Sequence, residues 1–332
     1  MDVHFLDPDP SFRSNIEEFL ELWNNEEDFI SAYTSGSTGT PKEIRLQKKR
    51  MIASAKATLE FLGIKEGDSA LLCLPADKVG GMMMIVRSIV GKLKLYAVAP
   101  SSSPIKNIGF HIDFAAMVPM QLENSFEELK HNQIDKLIVG GAPMPSELNE
   151  KCSILTTSVY QTYGMTETYS HVAMRKCGST QNLYEALPGV SFSELGGKLV
   201  IRAPHIEVEN LVTNDEVELN SPTRFRWLGR SDFTINSGGI KIHPEEIERR
   251  LSRAISAPFF VFGEQDSQLG ESLTLCIEGP KFEVRKKQLE ALVPRYKCPK
   301  KIYWINEFVR TNEKIDRKRT RELTEHAIEQ VL

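Results

Sequence analysis

The sequence predicts an α/β protein in two parts. A large N-terminal domain, 1–231, has a mostly parallel sheet plus a mixed-β subdomain, and a small α+β C-terminal domain, 232–332, follows. Three observations predict this. A continuous apolar run of strand length at 70–74 and further strand-like segments such as 136–139 alternate with helical periodicities up to about residue 140, as in a parallel sheet covered on both faces. From about residue 194 the helical segments give way to short strand-like runs joined by turns. After Gly229-Arg230-Ser231-Asp232 helix and strand mix again, which places the boundary near Asp232.

The elements follow in order. Residues 11–30 read as one helix, with Ser14 as N-cap and Ile16, Phe19, Leu20 and Trp23 at helical spacing. A second helix, 47–62, carries Ile52, Ala55, Leu59 and Leu62 on one face and has Gly63 as its C-cap. Then come a strand at 70–74, a helix at 81–90, strands at 95–99 and 114–118, and a helix at 125–131. The strand at 136–139 runs into Gly140-Gly141-Ala142-Pro143. Short strands are expected at 198–202, 207–211, 216–219 and 224–228. Beyond the boundary lie a helix at 244–251 with Pro244 in its first turn, strands at 259–262 and 273–277, a basic helix at 286–292 and a strand at 302–305. A closing helix starts near Arg317.

Bulk properties narrow the function classes. Of 332 residues, 41% are apolar and 26% charged, with a net charge of −4. There is no basic excess, so nucleic acid is disfavoured as a partner. No stretch approaches the roughly 20 apolar residues of a membrane span, and residues 1–12 do not read as a signal peptide. Five widely spaced cysteines with no Cys-x-x-Cys point to reduced thiols in the cytoplasm.

The chemistry concentrates in six places. Tyr33-Thr34-Ser35-Gly36-Ser37-Thr38-Gly39-Thr40-Pro41-Lys42 crowds hydroxyls, glycines and a lysine into one loop. Such a loop suits an oxyanion: backbone N–H groups approach closely, hydroxyls donate and the lysine adds charge. It is not the Walker form, because Gly39 and Lys42 are separated by two residues. In Tyr163-Gly164-Met165-Thr166-Glu167-Thr168 an aromatic platform at a turn precedes a hydroxyl and a carboxylate. Those groups could stack on adenine, reach a phosphate and hold Mg²⁺. Gly140-Gly141-Ala142 leaves space for a flat base at a strand end. Asp215 can accept from vicinal hydroxyls, and Arg230 can bind such hydroxyls or a phosphate. Gly238-Gly239 permits a tight turn that could enter a narrow channel. Lys314 sits in Asn312-Glu313-Lys314-Ile315-Asp316, beside a basic cluster.

Taken in this order, the motifs resemble the adenylate-forming superfamily of acyl-CoA synthetases, adenylation domains and luciferases. The resemblance implies a two-step ligase using ATP, Mg²⁺ and coenzyme A on a small carboxylic acid. It assigns the loop of Thr34, Ser35, Gly36, Ser37, Thr38, Gly39 and Lys42 to the β and γ phosphates. It puts Thr166 and Lys314 at the α-phosphate, Glu167 on Mg²⁺, Gly140, Gly141, Ala142, Tyr163 and Gly164 around adenine, and Asp215 and Arg230 on the ribose. It makes Asp232 a hinge about which the C-terminal domain swings to bring in Gly238-Gly239. In place of the usual Thr-Gly-Asp the chain reads Thr213-Asn214-Asp215. Family members usually carry well over a hundred residues before the phosphate loop and this chain carries 32, so a shortened N-terminal domain is expected.

The run Tyr163 to Ala173 and the Ser237-Gly238-Gly239-Ile240-Lys241-Ile242 wording are most similar to the o-succinylbenzoate–CoA ligase branch, which implies menaquinone biosynthesis. Lys78 lies where relatives border the acyl pocket and could pair with a second substrate carboxylate, or could simply reach to solvent. Arg87 and Arg175 are rival anchors, and His171 is a candidate pocket lining. Two other readings stay open: adenylation of another acid or onto a carrier protein, and nucleotide binding without catalysis.

Overall fold

The computed structural model describes residues 2–7, 9–34, 42–131, 133–311 and 314–332. The candidate loop residues Ser35, Gly36, Ser37, Thr38 and Gly39 lie outside the described residues, as do the side chains of Thr34, Lys42 and Lys314.

In chain order the first part contains β1 (Val3–Phe5), α1 (Pro10–Asn24), β2 (Phe29–Thr34), β3 (Lys42–Gln47), α2 (Lys48–Leu62), β4 (Ser69–Leu72) and α3 (Val79–Gly91). It continues through β5 (Lys94–Ala97), β6 (Ile112–Met117), α4 (Pro119–Asn124), α5 (Phe126–Leu129), β7 (Ile134–Val139) and α6 (Ser146–Lys151). It closes with β8 (Ser158–Gly164), β9 (His171–Lys176), β10 (Tyr184–Ala186), β11 (Ser191–Leu195), β12 (Lys198–Ala203), β13 (Val208–Ser221) and β14 (Arg224–Arg230). All but the β2–β3 hairpin join one 12-stranded sheet, ordered β1-β5-β4-β6-β7-β8-β9-β10-β14-β13-β12-β11.

Pairing is parallel from β1 to β8 and antiparallel from β8 to β11. The parallel half needs crossovers, and the helices supply them. Because strand side chains alternate between faces, Ala70, Leu72, Phe114 and Ala116 pack with Ile16, Met51 and Met83 on one side. Leu71, Ala115 and Met117 pack with Leu122, Phe126 and Leu148 on the other. That two-sided burial is why these strands read as continuous apolar runs.

The second part holds β15 (Ile235–Ser237), β16 (Ile240–Ile242), α7 (Pro244–Leu251), β17 (Phe259–Asp266), β18 (Gly270–Glu278), α8 (Lys286–Glu290) and β19 (Lys301–Ile305). After these come β20 (Arg310–Thr311), β21 (Lys314–Ile315), α9 (Arg317–Glu322) and β22 (Ile328–Val331). Its main sheet runs β16-β15-β18-β19-β22, with β17 on β18. Ile247, Leu251, Leu275 and Ile302 fill one face, and Phe260, Cys276 and Phe308 the other. Among the described residues no helix is long and apolar enough to cross a membrane.

Several elements differ from expectation. The first helix stops at Asn24, and residues 29–34 form β2 instead of its last turns. Its N-cap is Asp9, whose carboxylate accepts from Ser11 N and Phe12 N, with Pro10 at the first helical position. Ser14 is therefore inside the helix. The helix expected at 125–131 is only the short α5, and a second short helix that was not expected, α4, precedes it, the two broken at Ser125. The two strands expected at 207–211 and 216–219 are one 14-residue strand, β13, with register shifts against both neighbours. The closing helix ends at Glu322, and the chain then pairs β22 with β19. Antiparallel pairing also begins earlier than expected, at β8 with β9.

Candidate active site

β8 delivers Tyr163 and Gly164 to a sharp turn. Gly164 is required there: a Cβ would stand 2.2 Å from Ser170 O and 2.4 Å from His171 Cα. Gly164→Ala is expected to lower stability by about 3 kcal/mol, because backbone cannot yield as a flexible side chain can. Thermal unfolding measures it, and an unchanged Tm would show that β9 can shift freely. Thr166–Thr168 follows as one turn of 3₁₀ helix. The Thr168 hydroxyl is fully buried beneath it, accepting from Met165 N (3.0 Å) and lying 2.6 Å from Ser170 O. Tyr169 closes the turn in the left-handed region, φ 63°. Thr166 is thus half-buried and Glu167 exposed on a braced turn.

The residues expected around adenine lie on neighbouring strands. Gly140, Gly141 and Ala142 follow β7, which pairs in parallel with β8 through Val139 opposite Gln161. A Cβ on Gly140 would stand 2.4 Å from the Thr162 hydroxyl, and Gly141 has φ 83°. Gly140 therefore makes room for the Thr162 side chain on β8, next to Tyr163 in sequence, and Gly141 answers to its backbone conformation.

Asp215 is buried on β13. Tyr163 donates to its Oδ2 (2.7 Å) and Trp227 Nε1 to its Oδ1 (3.0 Å). β8 and β13 are four places apart in the sheet, so the antiparallel half must curl back over the end of β8. Burial and the Asp215 charge push the Tyr163 phenol far above its usual range, so it stays a neutral donor. An ionised carboxylate has about four acceptor positions, and Tyr163 and Trp227 leave two for a pair of hydroxyls. Arg230 stands directly across β13/β14 from Asp215 and pairs with Asp232 (2.6 Å). Trp227 carried no signal in the sequence beyond its place in the motif; its role appears only with the contact.

Other candidates separate from this group. Lys78 is exposed at the start of α3 and pairs with Asp77 (2.9 Å). Asp232 lies in the turn between β14 and β15, half-exposed. Gly238 and Gly239, φ 57° and 78°, form the two-residue tip of the β15–β16 hairpin. Lys241 on that hairpin pairs with Glu216 (2.6 Å), one residue from Asp215. The Lys314 backbone lies in β21 opposite Thr311.

His171 belongs to a buried polar chain. Arg87 donates to Ser170 Oγ (2.8 Å), which lies 3.2 Å from His171 Nδ1. His171 Nε2 lies 3.0 Å from the Thr58 hydroxyl, which donates to Ser54 O (3.1 Å). These directions assign the proton to Nε2. Burial, and then the Arg87 charge, hold His171 well below the usual imidazole range. Arg87 itself is 2% exposed, its Nε has no partner, and burial presses its pKa to about 9. Among the described residues no carboxylate pairs with it. Ser170 and Thr58 were missed in the sequence.

Mg²⁺ keeps several waters and takes one or two carboxylates plus substrate phosphates. An exposed Glu167 beside the Thr166 hydroxyl fits that donor set.

The chain is similar in sequence and in fold to known proteins. Residues 13–202 match the family model described as AMP-binding enzyme. A curated 2-succinylbenzoate–CoA ligase of Bacillus cereus (strain ATCC 10987 / NRS 248) is 28% identical, over 95% of this chain and 74% of its own length. An acyl-CoA synthetase (AMP-forming)/AMP-acid ligase II-like protein from Dyadobacter fermentans DSM 18053 aligns with TM-score 0.64 at 34% identity, covering 96% of this chain and 95% of that one. The o-succinylbenzoate coenzyme A synthetase (MenE) from Bacillus subtilis, in complex with ATP and magnesium ion, aligns with TM-score 0.74 at 24% identity, covering 88% and 69%.

Proposed function

The chain belongs to the AMP-binding enzyme family, and from that premise we propose that it is an AMP-forming acid–CoA ligase whose acid is o-succinylbenzoate. The observation that carries the site is Asp215, held by Tyr163 and Trp227 and facing Arg230 on the next strand. It supplies a ribose-binding carboxylate beside an aromatic base platform, one turn from Thr166 and Glu167.

In the first step the acid's carboxylate attacks the α-phosphate of ATP. The new bond forms at phosphorus and pyrophosphate leaves, giving acyl-adenylate. Two anions must approach, so catalysis is positioning and charge neutralisation. Thr34–Lys42 addresses the β and γ phosphates, and Thr166 and Lys314 the α-phosphate. Glu167 would hold Mg²⁺, which when bound offsets phosphate charge. In the second step the CoA thiol attacks the acyl carbonyl and AMP leaves. We assign this step to a rearrangement of residues 232–332 about Asp232 that withdraws Lys314 and advances Gly238-Gly239.

The choice of acid rests on the names of the relatives and on Arg87. A buried cation with no carboxylate partner suits a substrate with a second carboxylate. Lys78 is less suited, being exposed and already paired. The cytoplasm supplies ATP and CoA and keeps the five cysteines, all buried and unbridged, reduced.

Acid-dependent pyrophosphate release over a panel of acids, with and without CoA, tests the reading. Release with o-succinylbenzoate alone, and thioester on adding CoA, is expected. Release with another acid only would reassign the substrate, and ATP binding without any release would leave a non-catalytic nucleotide-binding protein.

A further inference from the structure

The Glu245 carboxyl reaches from the first turn of α7 onto the end of β14, where Arg230 N donates to its Oε1 (3.3 Å). Its Oε2 is buried and has no hydrogen-bond partner among the described residues. A Cβ on Gly229 would stand 2.5 Å from that oxygen and 3.1 Å from His243 Cβ, so the strand has a glycine where the carboxyl rests.

The charged groups around Glu245 are already committed. On β14, Arg230 pairs with Asp232 (2.6 Å). From α9, Arg317 pairs with Glu248 (2.7 Å), the next acid along α7 on this side. Lys241 on β16 pairs with Glu216 (2.6 Å), and Lys297 with Glu246 (3.0 Å). Burial holds His243, which precedes α7, below the usual imidazole range, so it offers no counter-charge. Glu245 is left as an acid with no ion pair of its own among the described residues. Burial lifts its pKa to about 7, with Arg317 opposing the rise and Glu248 adding to it. A buried carboxylate with an idle oxygen is costly, and a proton removes most of that cost.

We infer that Glu245 is a positioning residue: carrying its proton, the carboxyl clamps Gly229-Arg230 to α7, and on losing the proton it releases them, so that one acid biases where residues 232–332 sit and how Arg230 is held. The consequence for Arg230 rests on the ligase reading, which places that arginine on the ribose. The sign follows from the direction of the shift. A carboxyl whose pKa is raised by packing holds its proton better packed than released. The clamp is therefore strongest in acid, weakens as the pH rises from the usual carboxylate range to about 7, and changes no further above that.

Amide hydrogen exchange of the ligand-free full chain, read at residues 228–232 and corrected for the intrinsic pH dependence of exchange, tests the clamp. Wild type is expected to lose about tenfold in protection there between about pH 5 and about pH 8. Glu245→Gln keeps the shape and the acceptor but has no charge to acquire, so it is expected to hold the low-pH protection throughout. Glu245→Ala is expected to be weakly protected at every pH. The same pH dependence in wild type and Glu245→Gln, or wild-type protection in Glu245→Ala, overturns the inference. Pyrophosphate release, and thioester formation from supplied acyl-adenylate, are followed over the same pH series. The ratio of wild-type to Glu245→Gln rate is expected to change with pH in opposite directions for the two half-reactions, and a ratio constant with pH in both overturns the positioning role. No pyrophosphate release from wild type at any pH, with the exchange difference intact, would remove the ligase reading and leave the clamp standing.

Discussion

Lys314→Ala is expected to slow acid-dependent pyrophosphate release by about 10²–10³-fold, the usual effect of removing one group aimed at developing transition-state charge. The same variant should convert supplied acyl-adenylate and CoA to thioester at close to the wild-type rate. The difference follows from the charges. In the first step a carboxylate meets a phosphate and a cation is needed between them. In the second a thiol attacks a carbonyl and AMP departs, with no new anion–anion contact to relieve. The variant should fold, because the segment is anchored elsewhere. Asp316 N donates to Val309 O (2.8 Å), the Thr320 hydroxyl accepts from Val309 N (3.1 Å), and Arg317 pairs with Glu248 (2.7 Å). Single-turnover assays of the two half-reactions decide the matter. Equal loss in both would reject the division of labour.

The parallel half of the sheet was legible because residues buried on both faces leave a continuous apolar run, as at Ala70 to Cys73. β2 was not. Phe29 and Ile30 extend the helical spacing of α1, and only the extended backbone at Asn25 shows where that helix stops. β13 was split in two because Asn214-Asp215 reads as a polar turn. In the fold Asp215 stays in the strand, its N–H satisfied by the Thr213 hydroxyl (3.1 Å).

The motif residues could be named from sequence, but their contacts could not. Tyr163 and Asp215 are 52 residues apart and meet only because the sheet curls. The buried chain through His171 is less legible still. Thr58 and His171 are separated by 113 residues, and neither residue type announces such a link. Arg87 was the exception, since a cation within the apolar run 82–90 asks for an explanation. Lys78 drew attention by position and charge, and a start-of-helix lysine beside an aspartate finds its partner locally.

Arg87→Met should separate stability from activity. In the ligand-free protein the Arg87 cation is buried with an unpartnered Nε. Folding disfavours its charged form, and burial presses its pKa to about 9, well below the usual arginine range. The sign is that of a base with a depressed folded pKa. From about pH 9 up to the usual arginine range the unfolded chain binds more protons, so stability rises with pH through that window. At neutral pH both states are charged and the penalty stands in full. It can be relieved by bringing in a carboxylate or by removing the charge. Methionine, of similar length and apolar, does the second. It loses the hydrogen bond to Ser170, worth about 1–3 kcal/mol for a charged donor, against a desolvation penalty of several kcal/mol. The ligand-free variant is therefore expected to be more stable by about 1–2 kcal/mol, read as a higher Tm. Pyrophosphate release with o-succinylbenzoate should fall by about 10²-fold, since losing one partner of a buried charge pair removes roughly 2–5 kcal/mol of binding. Adding o-succinylbenzoate should raise the wild-type Tm and leave that of the variant nearly unchanged. A variant that loses both stability and activity would make Arg87 a structural residue. One that keeps the wild-type KM would move the second carboxylate elsewhere, with Arg175 the next candidate.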